Sequence, residues 1–406
     1  MSNSKYEHML KHLKTAAVIL LAALLLSCGV QAAAVENNPQ TFHIGTEYTV
    51  IYSAAQASDG GYFLSVLYDD KLSVIKTEKG TNKTVWSTDV TGYYSHAISA
   101  LSDGGCIVLT SAGDDSYLYK LDKNGKISWE SPLIGISVGI NPIVVSGNTL
   151  KLAGWFSDSK TGFTQTYELT NGAPANDQIS LPDGIIPVSI IADGDSYVLV
   201  GETSAVASSY NSSAWILKMK NGGVVEWKTT IRTECENPEI YGPGSAAFVV
   251  CKTDDGGYFV SGTTTPFDKN DINGIIWVAK ITTDGTVEWQ KDTRGAVPYG
   301  CVQIGTNYIV VGEGWSTPFW MTITQSGAIG ELNYSEDYQG SFYTLTSVSK
   351  NTAAAVGWST ETGELNGYLV ELKDPDVKAS SPAPVIAVIL GISLAAGAAV
   401  LFGRKQ

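Results

Sequence analysis

The sequence predicts an all-β fold made of seven similar sheets, and three observations support this prediction. A short pattern, Asp-Gly-Gly-aromatic followed by alternating apolar residues and a Gly, recurs along the chain. Its aromatic position falls at residues 62, 106, 150, 197, 258, 308 and 353, so the copies are 44, 44, 47, 61, 50 and 45 residues apart. Apolar residues alternate with a period of two after each copy, as in half-buried strands. Asp-Gly and Asn-Gly pairs between these stretches supply the positive φ that tight hairpins need.

Each copy predicts four antiparallel strands. In the fifth copy the second strand follows Asp255-Gly256-Gly257, the third contains Lys280 and the fourth contains Trp289. Four strands in about 40–50 residues are typical of a propeller blade. A solenoid fits less well, because each unit forms its own meander. The predicted fold is a seven-bladed β-propeller of four-stranded antiparallel blades, covering residues 41–375.

The two ends of the repeat array favour a closed ring. The seventh copy ends after its third strand, Tyr368–Leu372, and Asp374-Pro375-Asp376 follows. An unassigned segment, Gln40–Gly45, precedes the first copy. We expect this segment to supply the missing fourth strand, since joining the first and last blades leaves no exposed sheet edge. The third and sixth blades should be distorted, because residues 178–180 and 331–333 stand where other copies have Trp.

The N-terminal segment, residues 1–34, has the pattern of a secretory signal peptide. Three lysines precede an apolar run at 16–26, and small residues follow at 32–34. This order of basic, apolar and small residues predicts a signal helix removed on export. Two alternatives stay open. Leu-Leu-Ser before Cys28 resembles a bacterial lipobox, which would lipidate that cysteine, and the segment could also remain as an uncleaved anchor.

The C-terminal segment predicts a single membrane anchor. A linker at 376–384 precedes 18 apolar or small residues at 385–402, and a basic tail follows at 403–406. A helix of that length spans roughly 27 Å, close to the hydrocarbon thickness of a bilayer. The basic tail belongs on the cytoplasmic side, which places the propeller outside the cell. The alternatives are a buried core helix and a processed cell-surface sorting signal.

Composition and charge exclude several classes of protein. Only 16% of residues are charged and 10% are aromatic, which excludes a disordered chain and a long coiled coil. Without the five basic residues and one acidic residue of the two end segments, 21 basic and 39 acidic residues remain, a net charge of −18 against −14 for the whole chain. Such a surface repels phosphate backbones, so nucleic-acid binding is not expected.

The repeat resembles a known group of surface proteins. The pattern DGGY…G…W-x-x-K-x-x-x-x-G-x-x-x-W is similar to the propeller repeats on methanogenic archaeal and some bacterial cell surfaces, with the best match at Thr253–Trp289. The resemblance implies secretion and display at the cell surface. The turn between the third and fourth strands also resembles the repeat of PQQ-dependent quinoproteins. Of that signature, Thr-Gly-x-x-x-Trp, only the Gly and the Trp are present.

Few side chains suited to catalysis lie between the two end segments. This region has two histidines, His43 and His96, and two arginines, Arg232 and Arg294, with no HExxH or Gly-x-Ser-x-Gly pattern. We therefore predict a protein that is not an enzyme and needs no cofactor.

Two further features concern metal and cysteine chemistry. The oxygen-rich stretch with Asp268, Asn270 and Asp271 resembles part of a calcium loop but has no Glu at the twelfth position. It is a weak Ca²⁺ candidate, and an ordinary polar loop is the alternative. Cys235 and Cys251 flank an insertion within one blade, and we predict a disulfide between them, since an exported chain meets oxidising conditions.

Candidate ligand-binding residues gather at one face of the predicted ring. Three tryptophans follow glycines at or just past the end of the second strand of a copy. Three tyrosines stand where the first strand of a copy begins. One histidine stands near the start of a first strand, close to the predicted central channel. These candidates are Trp155, Trp315, Trp358, Tyr94, Tyr299, Tyr343 and His96. Flat aromatic rings with polar neighbours suit sugars or peptides. The alternative is that each Trp simply packs between blades.

Together these patterns predict an exported, membrane-anchored propeller that acts as a non-catalytic cell-surface binding or adhesion module. Its expected partner is a cell-surface or extracellular polymer or protein, with a glycan or a protein as the ligand. Two other functions stay open. The ring could carry a carbohydrate-active or quinoprotein-like enzyme, or it could be a structural envelope component whose faces mediate self-assembly.

Overall fold

A computed structural model describes most of the repeat region. The described residues are 42–44, 48–81, 83–182, 184–203, 212–231, 244–265, 275–294, 297–314, 316–330, 332–334, 339–360 and 365–374. The predicted signal at 1–34 and the predicted anchor at 385–402 lie outside these ranges. Within them, no helix is long and apolar enough to cross a bilayer.

The described chain forms seven antiparallel sheets, which are the blades. Blade one contains β2 (Val50–Gln56), β3 (Tyr62–Tyr68), β4 (Lys71–Thr77) and β5 (Thr84–Val90). Blade two contains β6 (Tyr94–Ala100), β7 (Cys106–Ala112), β8 (Asp115–Leu121) and β9 (Ile127–Leu133). Blade three contains β10 (Ile136–Ser137), β11 (Ile143–Ser146), β12 (Thr149–Phe156), β13 (Gly162–Glu168) and β14 (Ile179–Ser180).

The remaining blades follow the same order. Blade four contains β15 (Ile185–Asp193), β16 (Ser196–Thr203), β17 (Ala214–Lys220) and β18 (Val225–Ile231). Blade five contains β19 (Gly244–Lys252), β20 (Tyr258–Thr265), β21 (Ile275–Ile281) and β22 (Val287–Arg294). Blade six contains β23 (Val297–Ile304), β24 (Asn307–Gly314), β25 (Thr317–Thr324) and β26 (Asn333–Tyr334). Blade seven contains β27 (Gly340–Ser349), β28 (Thr352–Ser359), β29 (Asn366–Lys373) and, from the start of the chain, β1 (Phe42–Ile44).

The first strands of the blades surround the centre of the ring. Contacts run from β2 through β6, β11, β15, β19, β23 and β27 and back to β2, so the circle is closed. The prediction of seven four-stranded antiparallel blades is confirmed. We call these first strands the inner strands. The face where they begin is the entrance face, and the face that carries the Gly-Gly turns is the turn face.

The segment before the first copy completes the last blade, as the sequence predicted. β1 pairs antiparallel with β29, with Phe42 opposite Leu369 and Ile44 opposite Gly367. The apolar faces also meet at this junction, where Ile51 and Leu64 of blade one pack in one cluster with Val356 of blade seven. Backbone pairing and apolar burial thus both close the ring.

The apolar core lies between the blades. Seven buried clusters occupy the described chain, and each takes its members from two successive blades, so every junction of the ring has one. Both faces of a blade are therefore covered, because each packs against a neighbour. A single blade removed from the ring would expose two apolar faces to water.

Blades three and six are the irregular ones, as their sequences predicted. Among the residues that the structure describes, each has a fourth strand of two residues, β14 and β26. Blade three also has a divided inner position, since β10 and β11 both pair with β12 and the segment 138–142 separates them. This break was not predicted.

A lysine on the third strand explains the Asp-Gly-Gly motif. Lys280 Nζ lies 2.8 Å from Asp255 Oδ2, and Asp255 Oδ1 accepts a hydrogen bond from Gly257 N at 3.0 Å. Burial alone would raise the pKa of Asp255, but the hydrogen bonds from Lys280, Thr253 and Gly257 outweigh it and lower the pKa to about 2. The equivalent lysines Lys76 and Lys120 pair with Asp59 and Asp103 of the other Asp-Gly-Gly motifs, whereas Lys218 pairs with Asp193 at the end of the inner strand β15. The recurring Asp and Lys therefore form an anchor that fixes the turn.

In blades one, two, four and five, a tryptophan on the fourth strand attaches the blade to the next one. Trp227 Nε1 donates a hydrogen bond to Thr283 O at 3.0 Å, and its ring covers Gly285, where a Cβ would lie 2.5 Å from ring atom Cδ2. Gly285 has a φ of +87°, so glycine is favoured for both conformation and space. Trp86, Trp129 and Trp289 make the equivalent bonds to Lys123, Leu169 and Gln325.

The Lys-Asp anchor predicts a stability difference between buried and exposed lysines. The side chain of Lys280 is only 3% exposed. Lys280→Met should lower the free energy of unfolding by about 1–3 kcal/mol, because a charge-assisted hydrogen bond is lost. Lys83→Met is the matched control, since Lys83 pairs with Glu78 at the surface with its side chain 71% exposed. It should cost less than about 1 kcal/mol. If urea unfolding showed equal losses of unfolding free energy for Lys280→Met and Lys83→Met, the stabilising role of the Lys-Asp anchor would be contradicted.

The Trp-Gly contact predicts a second difference, between two glycines of positive φ. Gly80 has a φ of +67° and no heavy atom within 4 Å of an added Cβ, whereas Gly285 lies beneath Trp227. Gly80→Ala should cost about 1–2 kcal/mol for the left-handed conformation alone. Gly285→Ala should cost about 1–3 kcal/mol more, because the indole must move. Similar unfolding midpoints for the two variants would show that the ring does not constrain this turn.

Candidate functional site

A β-bulge at the same level of six inner strands shapes the centre of the ring. The register shifts by one residue in β2, β6, β15, β19, β23 and β27, and one residue per strand is left unpaired. The unpaired residues are Tyr52, His96, Val188, Phe248, Tyr299 and Tyr343. A bulge bends its strand and redirects a side chain. Five of these six unpaired residues carry a ring, on the strands that surround the centre of the propeller.

Four tyrosines form a continuous row across blades six, seven, one and two. The ring centroids of Tyr299 and Tyr343 are 5.8 Å apart, those of Tyr343 and Tyr52 are 5.3 Å apart, and those of Tyr52 and Tyr94 are 5.4 Å apart. We call these four residues the tyrosine arc. Three of its members are half-buried, and Tyr94, at the entrance face, is 57% exposed. The arc therefore runs from half-buried rings on the inner strands to an exposed ring at the entrance face.

Trp358 extends the arc at blade seven. Its Nε1 donates a hydrogen bond to Tyr343 Oη at 3.2 Å. Trp358 lies opposite Ser341 on the inner strand, and in blade six the residue at that register is Glu313, opposite Val297. Glu313, and not Trp315, is therefore the counterpart of Trp358 in blade six. The sequence analysis grouped Trp315 with Trp358, but Trp315 lies outside the described residues.

Three phenols of the arc, those of Tyr52, Tyr299 and Tyr343, have a raised pKa. Burial raises the pKa of Tyr299 to about 12, with further contributions from Glu313 and Tyr343. Burial likewise raises the pKa of Tyr52 and of Tyr343, and the neighbouring phenols add to the shift at Tyr52. The arc thus offers neutral hydroxyl groups, which can both donate and accept hydrogen bonds, beside the carboxylate of Glu313.

His96 lies at the bulge of blade two but is held by protein groups on both sides. Its Nδ1 lies 2.9 Å from Gly139 O in the segment that divides the inner position of blade three, and its Nε2 lies 2.8 Å from Ser111 Oγ. A carbonyl only accepts, so Nδ1 carries the proton and Nε2 accepts from the hydroxyl. Both ring nitrogens have protein partners in this arrangement, which connects blade two to blade three.

The structure brings together some of the predicted ligand-binding residues and separates others. Tyr94, Tyr299, Tyr343 and Trp358 belong to one group. Trp155 occupies the register of Trp358 in blade three, opposite Ser137, and is half-buried. Ring contacts within the described ranges do not join Trp155 to the arc. Sequence analysis missed Tyr52, which lies at the centre of the arc. Its signal was present, since Tyr52 precedes the first Gly-Gly turn by the same interval as His96 precedes the second.

Other predicted sites fall on residues that the structure does not describe. Asp268, Asn270 and Asp271 lie in the gap between 265 and 275, and Cys235 lies in the gap between 231 and 244. Of the predicted disulfide, only Cys251 is described. Cys106 is fully buried in the core between blades one and two.

A separate cavity of about 230 Å³ opens on the turn face between blades three and four. Lys151 and Asp177 line it and form an ion pair at 3.1 Å, and the Lys151 ammonium lies 5.5 Å from the centroid of the Tyr197 ring. The two opposite charges compensate each other. The cavity is far less aromatic than the arc.

His96 predicts a specific acid sensitivity. Burial lowers the pKa of His96, and the hydrogen bond to Gly139 opposes this only in part. As the pH falls below the ordinary histidine pKa of about 6.5, the unfolded chain takes up a proton that the folded chain does not, so stability falls. The loss is at most about 1.4 kcal/mol per pH unit for one such group.

The variant His96→Gln should show a shallower decline in unfolding free energy between pH 7 and pH 5 than the unmodified chain. Urea unfolding at a series of pH values measures both slopes. All other titrating groups are common to the two proteins and cancel. Parallel curves would mean that His96 is already protonated in the folded state or is not buried as described.

Comparison with known proteins identifies the architecture. No protein-family model matches the sequence, and no curated protein matches it. Among solved structures, virginiamycin B lyase from Staphylococcus aureus, crystallised in an inactive form with quinupristin, is 15% identical over 82% of this chain and 99% of its own, with a TM-score of 0.52. The WD40 repeats of RRP9 are 9% identical over 84% and 99%, also with a TM-score of 0.52.

A third similar structure is quinohemoprotein alcohol dehydrogenase from Comamonas testosteroni. It is 10% identical over 87% of this chain and 78% of its own, with a TM-score of 0.50. Enzymes and a WD40 repeat domain thus share this architecture, and at such identities the likeness extends to the fold alone. The chain is a seven-bladed β-propeller.

Proposed function

We propose that this chain is a non-catalytic binding or adhesion module, displayed outside the cell, that captures a glycan at the tyrosine arc. The observation that carries the proposal is the unbroken row of four phenol rings at the entrance face, with Trp358 hydrogen-bonded at its edge. Sugar rings present flat C–H faces with hydroxyl groups around them. Aromatic rings pack on such faces, and neutral phenols bond the hydroxyls.

The charge of the site selects among glycans. Glu313 lies beside the arc and contributes to the raised pKa of Tyr299 and of Tyr343 through its negative charge. The net charge of the whole chain is −14. Polymers rich in phosphate or uronic acid would be repelled, whereas neutral sugars or amino sugars would be accepted. The preferred ligand is therefore a neutral or cationic glycan.

The proposed location follows from the two end segments of the sequence. A signal at 1–34 would export the chain, and the apolar segment 385–402 would hold it at the membrane with the propeller outside. In that arrangement the entrance face is available to cell-surface or extracellular polymers. Protease treatment of intact cells tests the location, since an exported propeller is degraded and an internal one is protected.

Binding is tested on the full-length chain with a glycan array, followed by titration of the best neutral ligand. Tyr94→Ala should weaken binding about 3–10-fold, because one stacking ring is lost. Tyr52→Phe keeps the ring and removes the hydroxyl, so it separates stacking from hydrogen bonding. Tyr68→Ala is the matched control, since Tyr68 is 40% exposed at the end of β3 and lies outside the arc. Unchanged affinity in Tyr94→Ala and Tyr52→Phe would refute the site.

The second candidate function is a carbohydrate-active enzyme on the same ring. One observation favours it: burial raises the pKa of Glu202, against a hydrogen bond from Ser212 that lowers it. Glu202 and Glu313 hold the same register in blades four and six. A carboxyl with a raised pKa and a second carboxylate are the groups of a glycosidase. Release of new reducing ends from an array ligand, abolished by Glu202→Gln, would establish this alternative.

A further inference from the structure

Two cysteines lie on the inner strands of neighbouring blades. Cys251 is in β19 of blade five, and Cys301 is in β23 of blade six. Both pack against the same apolar cluster, which fills the junction between these two blades. Both are half-buried, and the structure contains them as thiols.

The strand register directs the two side chains toward each other. Within blade six, Cys301 pairs with Val310. Within blade five, the residue equivalent to Val310 is Val260, and its strand partner is Val250. Cys301 therefore takes the position of Val250, which is one residue before Cys251. Successive residues of a strand point to opposite faces. Cys251 thus faces blade six, while Cys301 faces back toward blade five.

Contacts around the pair confirm this orientation. Burial, followed by the neighbouring Cys251 thiol, raises the pKa of Cys301 well above its ordinary value. Beside them, the rings of Phe259 and Tyr308 stack across the same junction with centroids 4.5 Å apart. At the turn face, Asp254 N donates a hydrogen bond to Gln303 Oε1 at 2.8 Å. Blades five and six are thus in contact beside the cysteines, both in the core and at the turn face.

We propose that Cys251 and Cys301 are the site of a disulfide that joins blades five and six. The oxidant is a small-molecule or protein disulfide. In the exchange the two S–H bonds of the cysteines break and one S–S bond forms, while the S–S bond of the oxidant breaks. The oxidant accepts the two electrons and two protons and leaves as two thiols. This pairing competes with the Cys235–Cys251 bond that the sequence suggested, because Cys251 can join only one partner.

Disulfide mapping of the full-length chain, after incubation with oxidised glutathione, tests the proposal. Trypsin leaves Cys235 and Cys251 together on peptide 233–252 and Cys301 on peptide 295–350. A second cut after Glu236 or Glu239 separates the first two cysteines. The expected product is a peptide carrying Cys251 linked to the peptide carrying Cys301, with a mass about 2 Da below the sum of the two thiol peptides.

Single substitutions identify the partners. Cys235→Ser should retain the cross-link, whereas Cys251→Ser and Cys301→Ser should lose it. Cys106 should still react with a thiol reagent after unfolding, because it is buried in another junction and burial raises its pKa to about 12. Oxidation should raise the urea midpoint of the unmodified chain and leave that of Cys301→Ser unchanged.

Two results would overturn the proposal. One is a Cys235–Cys251 link in the oxidised chain. The other is recovery of both Cys251 and Cys301 as free thiols after equilibration with excess oxidised glutathione, in a chain whose unfolding transition shows that it was folded. Neither result bears on glycan capture, since the cysteines lie at a junction that contributes only Tyr299 to the arc.

Discussion

Closure of the ring is the constraint on which the rest of the structure depends. Each blade has apolar residues on both faces, so it is stable only between two neighbours, and the last neighbour of blade seven is blade one. β1 supplies the fourth strand of blade seven, although about 320 residues separate it from β29 along the chain. The row of tyrosines crosses this same junction, because Tyr343 belongs to blade seven and Tyr52 to blade one. The candidate site exists only in the closed ring.

Much of the fold could be predicted because the repeat itself has a physical cause. In the turn between the first and second strands, the Asp accepts hydrogen bonds from a turn amide and from a lysine on the third strand. In the turn between the third and fourth strands, the Gly lies beneath a Trp of the preceding blade. These contacts need the same residue types in each copy, so they leave a visible pattern. The divided inner position of blade three could not be predicted. It depends on the segment 138–142, whose packing on blades two and four has no counterpart in the described parts of the other copies.

The site was predicted less well than the fold, because its residues come from different copies at a register that local sequence does not reveal. Tyr94 was identified from its place at the start of a strand, but it lies two residues from the bulge position occupied by Tyr52, Tyr299 and Tyr343. Tyr52 was missed although it holds the same bulge position as Tyr299 and Tyr343, because these rings meet only where blades six, seven and one come together. The contact between Cys251 and Cys301 was hidden for a similar reason: it joins two blades, whereas spacing along the chain favoured a partner in the same segment.

The most direct test of ring closure is hydrogen exchange at β29 in the full-length chain and in a chain that begins at residue 48. Without β1, the amides of Gly367–Leu369 that face it should lose protection, and the whole domain should unfold at lower denaturant, because one exposed edge weakens both neighbouring junctions. Unchanged protection at these amides, with an unchanged unfolding midpoint, would show that β1 does not close the ring.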